Sequence, residues 1–123
     1  MSYDLKNILL VENQNSIALE MQNYLKKSGF TNVFIANNVA EASDFILTIK
    51  PDLILMDISL GGRISGIDII KWMSLSYKIP FIYLSSDEDD ETLQKAAETN
   101  PVAIVKKALY LTELEEAILK VFK

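Results

Sequence analysis

The chain has 123 residues, 50% of them hydrophobic and 24% charged, with few Gly or Pro, which fits one globular domain large enough to bury a core. It has no Cys and no His, which excludes disulfides, thiolate catalysis, zinc–thiolate sites, phosphohistidine and the commonest general base. A net charge of −5 argues against direct nucleic-acid binding through a basic face. No apolar stretch is long enough to span a bilayer, and the polar start Met1-Ser2-Tyr3-Asp4 is unlike a signal peptide, so the cytoplasm is the expected compartment.

Apolar runs and amphipathic segments alternate along the chain. The first strand is predicted at about Asn7 to Val11. A helix follows from about Ser16 to Lys27, with Ile17, Met21, Tyr24 and Leu25 at i, i+4, i+7 and i+8, and Ser28-Gly29 stopping it. Val33 to Ala36 reads as a strand, and Asn37 or Asn38 as the cap of a helix from about Val39 to Thr48. Leu53 to Asp57 is the third strand, followed by a loop, Ile58 to Ser65, holding Gly61, Gly62 and Arg63. A helix from about Gly66 to Ser74 turns Ile67, Ile70 and Met73 inward. Pro80 introduces a strand, Phe81 to Ser85, and a helix from about Asp89 to Ala97 carries acids in its first turn, where the helix dipole favours them. Asn100-Pro101 turns into a fifth strand, about Val102 to Lys106. The last helix spans about Leu111 to Val121, with Leu111, Leu114, Ile118 and Val121 on one face and Thr112 with Glu115 as its expected capping box.

Five βα units in strict alternation predict a single α/β domain over residues 1–123, a doubly wound parallel sheet. The expected flavodoxin-like strand order is 2-1-3-4-5. Strands 1 and 3 then meet at the topological switch point, which brings Glu12, Asn13 and Asp57 together. The strand ends are unusually rich in polar groups. Ile8-Leu9-Leu10-Val11 runs into Glu12 and Asn13, Leu53 to Met56 ends in Asp57, Phe81 to Leu84 runs into Ser85 and Ser86, and Val102 to Val105 runs into Lys106 and Lys107. Carboxylate, amide, hydroxyl and ammonium groups at one edge of one sheet suit a cation and a phosphoryl group.

At these residues the chain resembles the receiver domain of two-component response regulators, the CheY-like family, over essentially its whole length. The resemblance rests on Ile8 to Asn13, Pro51 to Asp57, Gly66-Ile67-Asp68, Ile79 to Ser86 and Pro101 to Leu109, in this order and at these spacings. It implies that Asp57 is the phosphoacceptor, and that Glu12, Asn13, Asp57 and the backbone carbonyl of Ser59 hold Mg²⁺. It further implies that Ser85 hydrogen-bonds the phosphoryl group, and that Lys107 pairs with the aspartate and then with that group. Lys107 is chosen over Lys106 because Lys107-Ala108-Leu109 aligns with the family's Lys-Pro-Phe and because its distance to Glu113-Leu114 fits. The residue types suit the chemistry: a hard cation bound by oxygen neutralises charge, and lysine adds a point charge for phosphate oxygens.

Three residues depart from the family pattern. Asn13 stands where an Asp usually contacts the metal, so weaker Mg²⁺ binding is expected. Ile104 stands where an aromatic switch residue is common, so output through that switch is not expected. Ala108 replaces the Pro after the lysine; a cis bond before a residue other than Pro costs about 3–4 kcal/mol, so a trans Lys107–Ala108 bond is expected.

Simpler readings stand beside these. Asp57 could be a plain strand-ending carboxylate, Ser85 a turn hydroxyl, and Glu12 and Asn13 caps of the first helix. The acidic run Asp87 to Glu91 reads as a solvated helix start, and Gly61, Gly62 and Gly66 as turn glycines with no P-loop spacing. The expected function is a phosphorylation-dependent signalling switch that is not a turnover enzyme. Its expected partners are a histidine kinase or phosphotransfer protein and a downstream protein held at about residues 89–121. Homodimerisation is left open, and no output domain is expected. The alternative is a degenerate receiver acting as a phosphorylation-independent interaction module. An aspartate-based phosphatase of another α/β fold is disfavoured, because the position two residues after Asp57 is Ser59 and not an acid.

Overall fold

The computed structural model describes residues 5–86, 88–106 and 111–122. Five strands alternate with five helices: β1 (Asn7–Val11), α1 (Asn15–Lys27), β2 (Asn32–Ala36), α2 (Val39–Thr48), β3 (Leu53–Asp57), α3 (Gly66–Ser74), β4 (Phe81–Ser85), α4 (Asp90–Ala97), β5 (Ala103–Lys106) and α5 (Leu111–Phe122). All strand pairs are parallel and the order is β2-β1-β3-β4-β5, as the sequence predicts. A parallel sheet covered on both faces needs apolar residues at consecutive positions, and the central strands β3 and β4 are buried at all five of theirs.

Strand alternation divides the core into two layers. Ile8, Leu10, Leu53, Leu55, Ile82, Leu84 and Val105 face one side, where Ala18, Met21 and Leu25 of α1 and Leu114, Ala117 and Ile118 of α5 cover them. Leu9, Val11, Ile54, Met56, Phe81 and Tyr83 face the other, under Ala42 and Ile46 of α2, Ile67, Ile70 and Met73 of α3, and Ala96 of α4. Full burial of one such Leu, Ile or Met side chain is worth about 1.5–3 kcal/mol, so these layers hold the sheet edge in place.

The helix starts show how local chemistry sets the boundaries. Asn38 caps α2, its side chain accepting from the Glu41 N–H at 2.9 Å. Ser65 and Asp68 form a full capping box at α3. Asp89 caps α4 through the Thr92 N–H at 2.8 Å; this contact, first through the Thr92 side chain, holds its carboxyl below the usual range. The acidic segment is thus a helix start, with Asp90 and Glu91 in the first turn and Glu91 paired to Lys95 at 3.4 Å.

Three expectations need correction. α1 begins one residue earlier than expected; its N-cap is Gln14, with no side-chain cap, so Asn13 does not cap it. Thr112 lies inside α5 rather than at its N-cap, and Glu115 instead accepts from the Tyr24 hydroxyl at 2.9 Å, tying α5 to α1. Gly66 is no turn glycine but the buried first residue of α3. Gly61, with φ of 77°, is a turn glycine. Lys107, Ala108 and the bond between them lie outside the described residues, as does Asp87.

Candidate functional site at the carboxyl edge of the sheet

β1 and β3 run side by side in register, Val11 opposite Met56, so Glu12 and Asp57 follow at adjacent strand ends. By alternation both belong to the face of Leu10 and Leu55. Both are fully buried; Ser85 is the remaining buried polar residue among those described. Carboxylates are rarely buried without a function or a set of partners. Glu12 has several partners. Its N–H donates to the Ala36 carbonyl at 3.0 Å, its own carbonyl accepts from Asn37 Nδ2 at 2.9 Å, and its Oε2 accepts from the Gln14 N–H at 2.9 Å. The Gln14 contact folds the chain back over the carboxylate as it leaves the strand.

Asp57 Oδ1 accepts from the Ser59 N–H at 3.2 Å. The chain beyond Asp57 is held at two points: the Ile58 N–H donates to the Leu84 carbonyl at 3.1 Å, and the Gly66 N–H to the Ile58 carbonyl at 2.8 Å. A side chain at Gly66 would run into the Asp57 carbonyl oxygen and stand 2.7 Å from Met56 Cγ. Only glycine lets α3 start this close behind the aspartate. This role is not visible in the sequence, where Gly66 reads as loop punctuation.

Ser85 closes β4, the strand next to Asp57, with Leu84 in register with Asp57. It lies on the sheet face of Phe81 and Tyr83, opposite to that of Leu84. Lys106 pairs in register with Ser85 and is exposed. By alternation it shares the face of Ile104, not that of Asp57. Lys107 lies outside the described residues. Asn13 and Ser59 are exposed at the rim. Asn13 Nδ2 stands 3.0 Å from where a Gly61 side chain would begin, so the loop after β3 reaches back over the end of β1. Ile104 is half-buried against the layer that contains Tyr83, its register partner. Among the described residues no group of three or more acidic residues is placed to hold a metal. No helix among them is long and apolar enough to cross a membrane.

Residues 8–119 match the response regulator receiver domain family. The chain belongs to that family. Solved receiver domains share the fold. One is the signal receiver domain of a modulated diguanylate cyclase from Desulfovibrio desulfuricans, 27% identical, with a TM-score of 0.85 over 96% of this chain and 94% of that one. Another is the N-terminal domain of a response regulator/sensory box/GGDEF protein from Carboxydothermus hydrogenoformans, 26% identical, with a TM-score of 0.84 over 94% and 93%. A third is the signal receiver domain of a putative LuxO repressor protein from Vibrio parahaemolyticus, 21% identical, with a TM-score of 0.85 over 94% and 88%. This receiver domain therefore has the CheY-like architecture of two-component signalling proteins, with strand order 2-1-3-4-5.

Proposed function

We propose that this receiver domain, over residues 1–123, is a phosphoacceptor: Asp57 takes a phosphoryl group from a histidine kinase or a phosphotransfer protein. The observation that supports it is the pair of fully buried carboxylates, Glu12 and Asp57, at the ends of adjacent strands on one face of the sheet. A carboxylate oxygen of Asp57 attacks phosphorus, a new O–P bond forms, and the donor's P–N bond breaks with its electron pair returning to the donor nitrogen. The backbone around Asp57 is fixed by the Ile58–Leu84 and Gly66–Ile58 hydrogen bonds, so the nucleophile is positioned in advance. Ser85, at the end of the neighbouring strand, donates its hydroxyl proton to a phosphoryl oxygen. Lys107 supplies the cation, as the alignment of Lys107-Ala108-Leu109 with the family's Lys-Pro-Phe implies. The domain gives one transfer per cycle and is not a turnover enzyme.

The donor set fits Mg²⁺. Two carboxylates and oxygens at an exposed rim suit a hard cation that keeps several waters and takes only one or two carboxylates. Glu12 and Asp57 would hold it, with Asn13 and the Ser59 carbonyl at the rim. When bound, it neutralises charge between the aspartate and the incoming phosphoryl group. Downstream, the surface at about residues 89–121 engages a protein partner.

One observation favours the second reading, a binding module independent of phosphorylation. The site has two acids rather than three, because position 13 carries an amide. Intact-protein mass after incubation with acetyl phosphate, with and without Mg²⁺, separates the two. A Mg²⁺-dependent phosphoryl adduct that disappears in Asp57→Asn is the expected result. No adduct at any Mg²⁺ level would establish the binding module instead.

A further inference from the structure

α4 is thinly seated on the sheet. Of its eight residues only Ala96 is buried, and Leu93 is partly covered. α2 and α3, on the same face, bury Ile46 and Ile67, Ile69, Ile70 and Met73. Little apolar burial therefore holds α4 against local opening.

A polar link stands just past the helix end. The Tyr83 hydroxyl lies 2.7 Å from Thr99 Oγ1, and Thr99 Oγ1 lies 2.7 Å from the Ala96 carbonyl, to which it donates. With the threonine proton directed to Ala96, the tyrosine is the donor to Thr99. The Tyr83 ring is fully buried and rests edge-on against Phe81 at 5.4 Å between centroids. Tyr83 is also two residues before Ser85 on the same face of β4, and its register partner is Ile104. A rigid ring in the strand that ends in Ser85 thus grips the last turn of α4.

We propose that the Tyr83–Thr99 hydrogen bond is the staple that holds α4 on the sheet, and that it passes displacement of the Ser85 end of β4 to that helix. The second half rests on the reading that Ser85 meets a phosphoryl group on Asp57. Tyr83 and Thr99 are positioning residues, since neither touches the reacting atoms.

Hydrogen exchange read by mass spectrometry on the full chain tests both halves, with wild type, Tyr83→Phe and Thr99→Val compared. Tyr83→Phe keeps the buried shape and removes only this bond; Thr99→Val also removes the Oγ1 donation to the Ala96 carbonyl, so Tyr83→Phe isolates the staple and Thr99→Val checks it from the other side. Without phosphodonor, each is expected to speed exchange across Asp90–Ala97 by about two- to tenfold, the effect of one lost hydrogen bond, with β1 and β3 unchanged. Unchanged α4 exchange in both variants overturns the staple. With Mg²⁺ and acetyl phosphate, wild type is expected to change its α4 exchange. The variants are expected to form the same phosphoryl adduct while that response shrinks. A full response in both variants overturns the coupling. No adduct in wild type overturns the coupling together with the reading of the site, and the first arm still decides the staple.

Discussion

Asn13 sits exposed beside the buried Glu12, with its amide against the Gly61 backbone. An amide oxygen can ligate Mg²⁺ but adds no charge, and affinity at oxygen sites rises with the charge of the ligand set. Asn13→Asp is therefore expected to tighten Mg²⁺ binding by about tenfold, read by isothermal titration. No gain would place position 13 outside the site. The Asp57 carboxylate needs no such change, since burial and the hydrogen bonds of Ile58 and Gly66 already fix its strand end. The sequence shows that position 13 departs from the family pattern. It does not show that Gly61 closes over it, because that approach joins residues from two different loops.

The seat of α3 depends on one backbone approach. Gly66 brings the helix start against the Asp57 carbonyl, and its N–H donates to Ile58, while Ser65 and Asp68 cap the helix from outside. Gly66→Ala forces a methyl group into the backbone behind the aspartate. The expected cost is about 2–4 kcal/mol, measured by denaturant unfolding, because the neighbouring atom is backbone and cannot rotate away. Gly62→Ala in the same loop meets nothing within 4 Å and is expected to change stability by less than about 0.5 kcal/mol. Equal effects at the two positions would refute the argument from close approach. At this scale the sequence predicts the elements well: β3, α2, α3 and β4 have the expected bounds, because Asn38, Ser65, Pro80 and the continuous apolar runs are local signals. The expected box at Thr112 failed for the opposite reason. Glu115 is claimed by Tyr24 of α1, a partner distant in sequence.

For the molecule as a whole, the tyrosines couple packing to pH. Burial pushes the Tyr83 hydroxyl above the ordinary value of 10.0. The hydrogen bond to Glu115, followed by burial, does the same for Tyr24. The folded state thus favours the neutral phenols. Their contribution is fully present below pH 10.0 and is lost as pH rises through the raised folded values, since the folded chain then binds more protons than the unfolded one. Thermal unfolding is expected to show melting temperature falling above about pH 10. Tyr83→Phe should flatten that fall, and Tyr24→Phe should do so by less, because water screens the more open pair. An identical alkaline slope in wild type and Tyr83→Phe would contradict this.

The alternation of strands and helices, the parallel order and the polar strand ends at Glu12, Asp57 and Ser85 are legible in the chain's residues, since those follow from apolar periodicity, capping residues and chain connectivity. Packing between distant segments settled that Glu12 and Asp57, already expected to be neighbours, are fully buried, that Gly66 is wedged behind the aspartate, and that Tyr83 reaches Thr99. Each of these depends on strand register and on the distance between packed layers, quantities set only when residues far apart in the chain come into contact.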